Sequence, residues 1–290
     1  MKEKIKRVIA SLVYWAYRLG GMNRLKVMSI EETLDSLLDS EMSLVRFGDG
    51  ELQMIEGNAI PLQEVDQTLG RELYDVLVTR QEKILVAIPD IFASLEGYTK
   101  KSQTFWKEHL LFFRKRYERY CAKDYFYGNA FISRNYYIME DKSVCGNWFA
   151  KARKIWKDKK VVVVEGQVSH NGVDNDLFSE VLSLERIICP SRNAYQYYEE
   201  IKAACLTYPR DTLFFLTVGN TAKPLVRDLV DAGYRALDMG SLDMEYYWFL
   251  EGVDYKKHPP KQDFLTIEDN RRAGYQEYLD QISYRIGPEE

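Results

Sequence analysis

The spacing of apolar residues changes period along the chain, and each period predicts a different element. Between residues 5 and 19, Ile5, Val8, Ile9, Leu12, Val13, Ala16 and Leu19 recur at helical spacing among Lys2, Lys4, Lys6, Arg7 and Arg18. This predicts a basic amphipathic helix ended by Gly20-Gly21. Such a helix suits an anionic lipid surface, and it equally suits the domain body or a partner subunit. Ser29, with Glu32 three residues on, makes a capping-box pattern for a second helix over 33–38. Apolar runs at 43–47 and 83–88 predict strands, the second stopped by Pro89-Asp90. A helix over 105–120 sets Arg114, Lys115, Arg116 and Arg119 beside Trp106, Phe112, Phe113, Tyr117 and Tyr120. Arginine and lysine stems cover apolar surface, which favours a basic face over an aromatic core rather than a nucleic-acid surface.

From residue 160 the pattern becomes regular. Val161-Val162-Val163-Val164 is an unbroken β-branched run, the sign of a strand buried on both faces. A loop over 165–174, a helix from Asn175, a strand at 186–189 and a helix over 193–204 follow. A strand at 212–218, a helix over 222–232 closed by Gly233 and a strand at 235–239 complete the alternation. Alternating strand and helix require parallel strands joined by right-handed crossovers. The expected fold is therefore α/β, a Rossmann-like doubly wound, mostly parallel sheet with an N-terminal amphipathic helix. The chain divides into that helix (1–28), the α/β domain (29–255) and a C-terminal extension packed on the domain (256–290). It carries no internal repeat or low-complexity tract.

In such a sheet the loops that follow the strands line one edge, and here they hold the clustered Gly, Asn, Asp and Ser. In Arg46-Phe47-Gly48-Asp49-Gly50-Glu51 two carboxylates stand at i and i+2 after an apolar run. If the extended geometry continues, both point the same way and form a cation site. The alternative is an Asp-Gly turn with Glu51 opening the next helix. Gly166, Ser169, His170, Asn171, Gly172, Asn175 and Asp176 form a loop placed to meet phosphate at a helix N-terminus, or a long surface loop capped by Asn175. Asn220 and Thr221 offer the same after another strand, by capping the next helix or by bonding a ligand. Asp243 and Glu245 repeat the D-x-E spacing, as a cation or general-base pair or as the start of a helix; Asp238, inside its strand, reads as structural. No Walker A or strand-linked G-x-G-x-x-G sequence is present.

Composition narrows the classes. The chain has 290 residues, enough for one large α/β domain, and its formal charge of −4 gives no global reason to expect nucleic acid. Cys121, Cys145, Cys189 and Cys205 are widely spaced, with no C-x-x-C, and three histidines do not bracket them. This suggests a reduced, cytoplasmic protein without a zinc knuckle or disulfide framework. No apolar run approaches membrane-spanning length.

Taken together, Arg46-Phe47-Gly48-Asp49-Gly50-Glu51, Gly128-Asn129-Ala130-Phe131-Ile132-Ser133-Arg134, Val164-Glu165-Gly166 through Asn175-Asp176-Leu177-Phe178, Pro190-Ser191-Arg192-Asn193-Ala194, Thr221-Ala222 through Asp228-Leu229, and Asp238-Met239-Gly240 with Asp243-Met244-Glu245-Tyr246 resemble the bacterial GT-D-fold glycosyltransferases. The best-known members of that family extend the glycan of streptococcal serine-rich adhesins. The resemblance implies metal-dependent transfer from a UDP-sugar to a glycan or glycoconjugate acceptor in cell-surface polysaccharide or glycoprotein biosynthesis. Mn2+ or Mg2+ is the implied cofactor. By the same resemblance Asp49 and Glu51 hold the metal and Asp243 and Glu245 complete the site as catalytic carboxylates, although the D-x-E motif maps to either pair. Arg46, Gly166, Ser169, His170, Asn171, Asn175, Asp176, Asn193, Asn220 and Thr221 are the implied nucleotide-sugar contacts.

The sequence departs from the family pattern at His170, Asp174, Ser241 and Asn220, where arginine, glycine, histidine and proline are usual. A catalytically silent nucleotide- or glycan-binding subunit is the alternative those departures support. Peripheral contact with the inner face of the membrane through the first helix, and a homo-oligomer, are the further partner expectations.

Overall fold

Val161, Val162, Val163 and Val164 lie in a strand paired on both sides, and all four are buried, as their unbroken β-branched run requires. The structure is a computed structural model that describes residues 2–19, 25–259 and 274–288. In chain order its first half contains α1 (Lys2–Leu19), β1 (Lys26–Val27), α2 (Ile30–Asp39), β2 (Ser43–Arg46), α3 (Asp49–Ile55), α4 (Gln67–Thr79), β3 (Ile84–Ile88), α5 (Lys100–Tyr120) and β4 (Phe126–Asn129). The second half contains α6 (Cys145–Trp156), β5 (Lys160–Gly166), β6 (Ser183–Cys189), α7 (Tyr198–Cys205), β7 (Thr212–Thr217), α8 (Ala222–Asp231), β8 (Arg235–Asp238), α9 (Leu242–Glu251), α10 (Tyr275–Asp280) and β9 (Ile282–Arg285).

Among the described residues nine strands form one sheet in the order β1-β4-β3-β2-β8-β7-β5-β6-β9, and every adjacent pair is parallel. Both faces are covered. Val45, Val86, Val162, Phe214 and Leu225 belong to one apolar cluster, and Leu44, Leu85, Val163, Phe215 and Leu237 to the other, as side chains alternating along strands demand. The doubly wound α/β expectation is met.

Ser29 and Glu32 form the expected capping box on α2. The expected end of the first helix at Gly20-Gly21 lies outside the described residues. The helix expected from Asn175 is absent, and residues 171–180 form turns. The backbone before Asn175 is left-handed at His170, Gly172 and Asp174, with φ of 48°, 77° and 59°. Asn175 Oδ1 accepts from Leu177 N at 3.0 Å, the bond an N-cap makes, yet the chain closes as a turn, and Leu177 O is taken by Trp156 Nε1 at 2.8 Å. Beyond residue 273 the chain adds α10 and then β9, which pairs with β6 as an edge strand.

Candidate functional site

Because the strands are parallel, the loops after β2, β8, β7, β5 and β6 emerge on one edge. At about 5 Å per strand this rim is roughly 20 Å long. It gathers Arg46, Asp49, Glu51, residues 166–176, Asn193, Asn220, Thr221, Asp243 and Glu245. The chain leaves β5 toward β6 and β7 toward β8, in opposite directions, so the crevice between β5 and β7 is a topological switch point. Asn171 sits across it, donating from Nδ2 to Glu165 Oε2 at 2.6 Å and to Thr217 Oγ1 at 3.0 Å. A hollow of about 510 Å³ lined by Lys83, Lys159, Arg210 and Arg235 lies at the opposite, amino-terminal ends of the strands and takes no part in this rim.

The two D-x-E pairs are not extended. Asp49 and Glu51 occupy the first turn of α3, and Asp243 and Glu245 the first turn of α9. Positions i and i+2 on a helix are about 200° apart, so the members of each pair diverge. Glu51 reaches back, its Oε2 accepting from Gly48 N at 2.8 Å and its Oε1 lying 2.7 Å from Lys223 Nζ. Lys223, almost fully buried, also lies 3.1 Å from Asp238 Oδ2 and donates to Gly219 O at 3.1 Å. Arg46 closes the network, Nη2 donating to Asp238 Oδ1 at 2.9 Å and Nε to Asp238 O at 2.7 Å. Burial opposes the charge on Glu51, but Lys223 outweighs it and the carboxyl titrates below its usual range. Asp238 behaves alike, with burial overcome by Arg46 and Lys223.

Asp49 points elsewhere and stays partly open. Burial, then the charge of Glu51, raises its pKa, while Arg134 pulls it down. Arg134, exposed on the loop after β4, acts in the same sense on Glu245. Burial raises Glu245 too, against backbone N–H groups of Tyr137 and Tyr136 that donate to its Oε2 at 2.7 and 3.0 Å. Asp243 Oδ1 accepts from Gly172 N at 2.8 Å and Asn175 Nδ2 at 2.9 Å. The α9 acids thus grip two different loops, 136–137 and 172–175.

The remaining expected contacts divide. At Gly166 a Cβ would be tight against the backbone, meeting Ser191 Cα at 3.1 Å, and Ser169 N donates to Gly166 O at 2.9 Å. His170 is buried, its ring 4.7 Å from that of Tyr278. Asp176 faces away from the crevice-spanning contacts, bonded by Tyr246 Oη and Arg153. Asn193 is a loop tie, its Oδ1 accepting from Glu64 N at 2.8 Å. Neither Asn220 nor Thr221 makes a side-chain cap bond to α8, and Asn220 Nδ2 and Thr221 Oγ1 are buried without a hydrogen-bond partner among the described residues. Among the described residues no group of three or more His, Cys, Asp or Glu is arranged to hold a metal ion.

Sequence reasoning missed Lys223, Arg134 and the buried pair of Glu165 and Arg186. In that pair Arg186 Nη1 donates to Glu165 Oε1 at 2.6 Å and Nε to Gln281 Oε1 at 2.8 Å. The available signals were a charged residue ending the valine run, Glu165, and Arg134 closing the motif that starts at Gly128.

A doubly wound parallel sheet with polar loops gathered at a switch point defines an α/β protein of the class whose ligands bind at the carboxyl edge of the sheet. Residues 44–265 match the family described as "Glycosyltransferase GT-D fold", and the chain belongs to that family. It is 43% identical over 247 residues to "Probable glycosyl transferase Gly" of Streptococcus gordonii, a match covering 83% of this chain and 36% of that protein. It is 37% identical over 272 residues to "Glycosyltransferase GlyD" of Streptococcus pneumoniae serotype 4 (strain ATCC BAA-334 / TIGR4), covering 90% and 33%. The chain therefore spans about a third of the length of these curated relatives. Two solved structures are similar over 91% of the chain. One is "A New Glycosyltransferase (DUF1792) from Streptococcus sanguinis", with TM-score 0.83, 40% identity and 100% of that chain covered. The other is "The highly conserved domain of unknown function 1792 has a distinct glycosyltransferase fold", with TM-score 0.84, 38% identity and 97% covered.

Proposed function

We propose that this GT-D glycosyltransferase moves a sugar from a UDP-sugar donor to a glycan or glycoconjugate acceptor at the carboxyl edge of its sheet. One observation carries the reading: charged and polar groups from five successive strand ends share one rim, as a nucleotide diphosphate requires. The four cysteines are free and buried, which suits a reducing compartment, and the cytoplasm is the proposed location. Among the described residues no helix is long and apolar enough to cross a membrane.

Departure of UDP builds negative charge on the diphosphate, and preorganised positive groups lower that barrier. Arg134 supplies an exposed guanidinium whose charge acts on Asp49 and Glu245. Asp243 and Glu245 serve as positioning residues that set the 172–175 and 136–137 loops, rather than as proton acceptors. A Mn2+ or Mg2+ ion can be held by one carboxylate together with diphosphate oxygens and water. Asp49 fits that part, whereas Glu51 is committed to Lys223 and Gly48 N. When bound, such an ion would offset the charge of the leaving diphosphate.

The test is UDP release from a panel of UDP-sugars, with glycan acceptors present, in Mn2+, Mg2+ or chelator. Turnover of at least one donor is expected. Saturable UDP-sugar binding with no turnover under any of these conditions would make the chain a silent binding module instead.

A further inference from the structure

α1 is anchored on α5 by an unusual face. Ala10 and Tyr14 are buried there, Lys6 and Arg7 pair with Glu108 at 2.8 and 3.4 Å, and Arg18 pairs with Glu96 at 3.0 Å. Arg114 lies over the Tyr17 ring at 3.5 Å and Lys107 Nζ 5.5 Å from that of Tyr14. This docking turns the apolar side of the helix outward. Ile5, Val8, Ile9, Leu12, Trp15 and Leu19 form a stripe at helical spacing along α1, with Leu12, Trp15 and Leu19 65%, 50% and 82% exposed. A surface helix ordinarily directs such a stripe at the core. Here a small residue, aromatic rings and paired charges already fill the inward side.

Charge decides what covers the stripe. α1 and α5 carry twelve Lys or Arg against three Glu, in a chain of net charge −4. Five of these cations are held in ion pairs, Lys6 and Arg7 with Glu108, Arg114 with Glu118, Arg18 with Glu96 and Arg116 with Glu56, so the basic excess rests on the others, Lys4 of α1 and Lys107, Lys115 and Arg119 of α5 among them. A second copy meeting the stripe across a two-fold axis would bring the same basic face against itself. An anionic bilayer brings the opposite charge, takes apolar side chains at the acyl boundary and seats a tryptophan ring at headgroup level. We propose that the outer face of α1, flanked by the basic side chains of α1 and α5, is a docking surface for an anionic lipid bilayer. None of the stripe residues is among the carboxyl-edge residues, so the proposal stands whether or not transfer is catalysed there.

The experiment incubates the full chain with vesicles of phosphatidylcholine alone or mixed with phosphatidylglycerol and measures recovery by flotation. Wild type should float with the mixed vesicles, not with phosphatidylcholine alone, and added salt should release it. A Leu12→Glu/Trp15→Glu variant changes exposed side chains only. It should keep the wild-type unfolding midpoint and UDP-sugar turnover while its recovery falls about tenfold or more. Lys4→Glu, which leaves the stripe intact, should lower recovery as well. Equal recovery of wild type and the double variant, or no recovery on the mixed vesicles, would overturn the proposal. So would a wild-type dimer in vesicle-free solution that the double variant abolishes, which would assign the stripe to a second copy.

Discussion

Lys223 Nζ lies 2.7 Å from Glu51 Oε1, so a buried ammonium on α8 holds the second carboxylate of the first D-x-E pair. The same ammonium faces Asp238, which Arg46 holds from the other side. Two cations and two anions thus neutralise one another where β2, β8 and α8 meet. Replacing Lys223 with methionine keeps the stem and removes the charge, leaving Asp238 with Arg46, and Glu51 with Gly48 N as its remaining partner. Loss of one partner from a buried pair costs about 3–5 kcal/mol, so Lys223→Met should lower unfolding stability in urea by that order. Adding Glu51→Gln should cost less than the two separate losses together, a coupling that a double-mutant cycle reads directly.

The same network predicts an acid limit. Glu51 and Asp238 both titrate lower in the folded chain than in the unfolded one. Their contribution is therefore present above the unfolded carboxyl values of about 4 and is lost as pH falls through the depressed folded values. Stability of the wild type should drop steeply below about pH 4, and that arm should be shallower in Lys223→Met. Parallel acid arms in the two proteins would show that other carboxylates carry the transition.

Gly240 is where backbone and side chain meet most tightly. Its φ is +44°, and a Cβ there would stand 1.9 Å from Arg46 Nη2. Gly240→Ala therefore combines backbone strain with displacement of the guanidinium that holds Asp238. A loss of about 2 kcal/mol or more is expected, with a larger fall in UDP-sugar turnover than a surface alanine would give. Thermal unfolding and initial rates measured on one preparation check both.

What could be read beforehand follows from whether a signal is local. The valines at 161–164 announce their strand because burial on both faces leaves no polar position. The D-x-E geometry was misjudged, although Glu51 three residues after Gly48 was the mark of a helix start that the alternative reading already contained. At Asn175 the side chain makes the cap-like bond to Leu177 N that the sequence promises, but the residues after it turn and no helix continues. Lys223 was invisible, since a lysine in a helix reads as a solvated face and its charged partners, Glu51 and Asp238, come from other parts of the fold. β9 offered four residues, mostly exposed and paired on one side, with no alternation strong enough to mark a strand.

The two members of the first D-x-E pair should respond differently to substitution. Asp49 is partly open and carries a raised pKa from burial and Glu51, whereas Glu51 is locked to Lys223. Asp49→Asn should keep the unfolding midpoint and weaken Mn2+-dependent UDP binding about tenfold or more, as loss of a cation's single protein carboxylate would. Glu51→Gln should do the reverse, lowering stability by about 3 kcal/mol with a smaller change in Mn2+-dependent affinity measured on folded protein. Calorimetric titration with UDP in Mn2+ and in chelator separates the two. Equal loss of metal dependence in both variants would return Glu51 to the cation.

Tyr278, on α10 just before the last strand, packs against the loop after β5. Its ring lies 4.7 Å from that of His170 and 4.8 Å from the Arg186 guanidinium, and it packs with Val173 and Ile188 in a small apolar cluster. Arg186 in turn holds Glu165, whose Oε2 accepts from Asn171 N at 2.7 Å. The segment beyond residue 273 lies outside the 44–265 family match, yet it braces the loop proposed to meet the donor. Tyr278→Ala should cost about 3–5 kcal/mol of stability as a buried aromatic truncation. Because the loop is a positioning element, KM for the UDP-sugar should rise more than kcat falls, at a temperature where the variant is still folded. Tyr278→Phe keeps the ring and should restore KM. An unchanged KM in the alanine variant would reduce this segment to a stabilising edge with no hold on the donor loop.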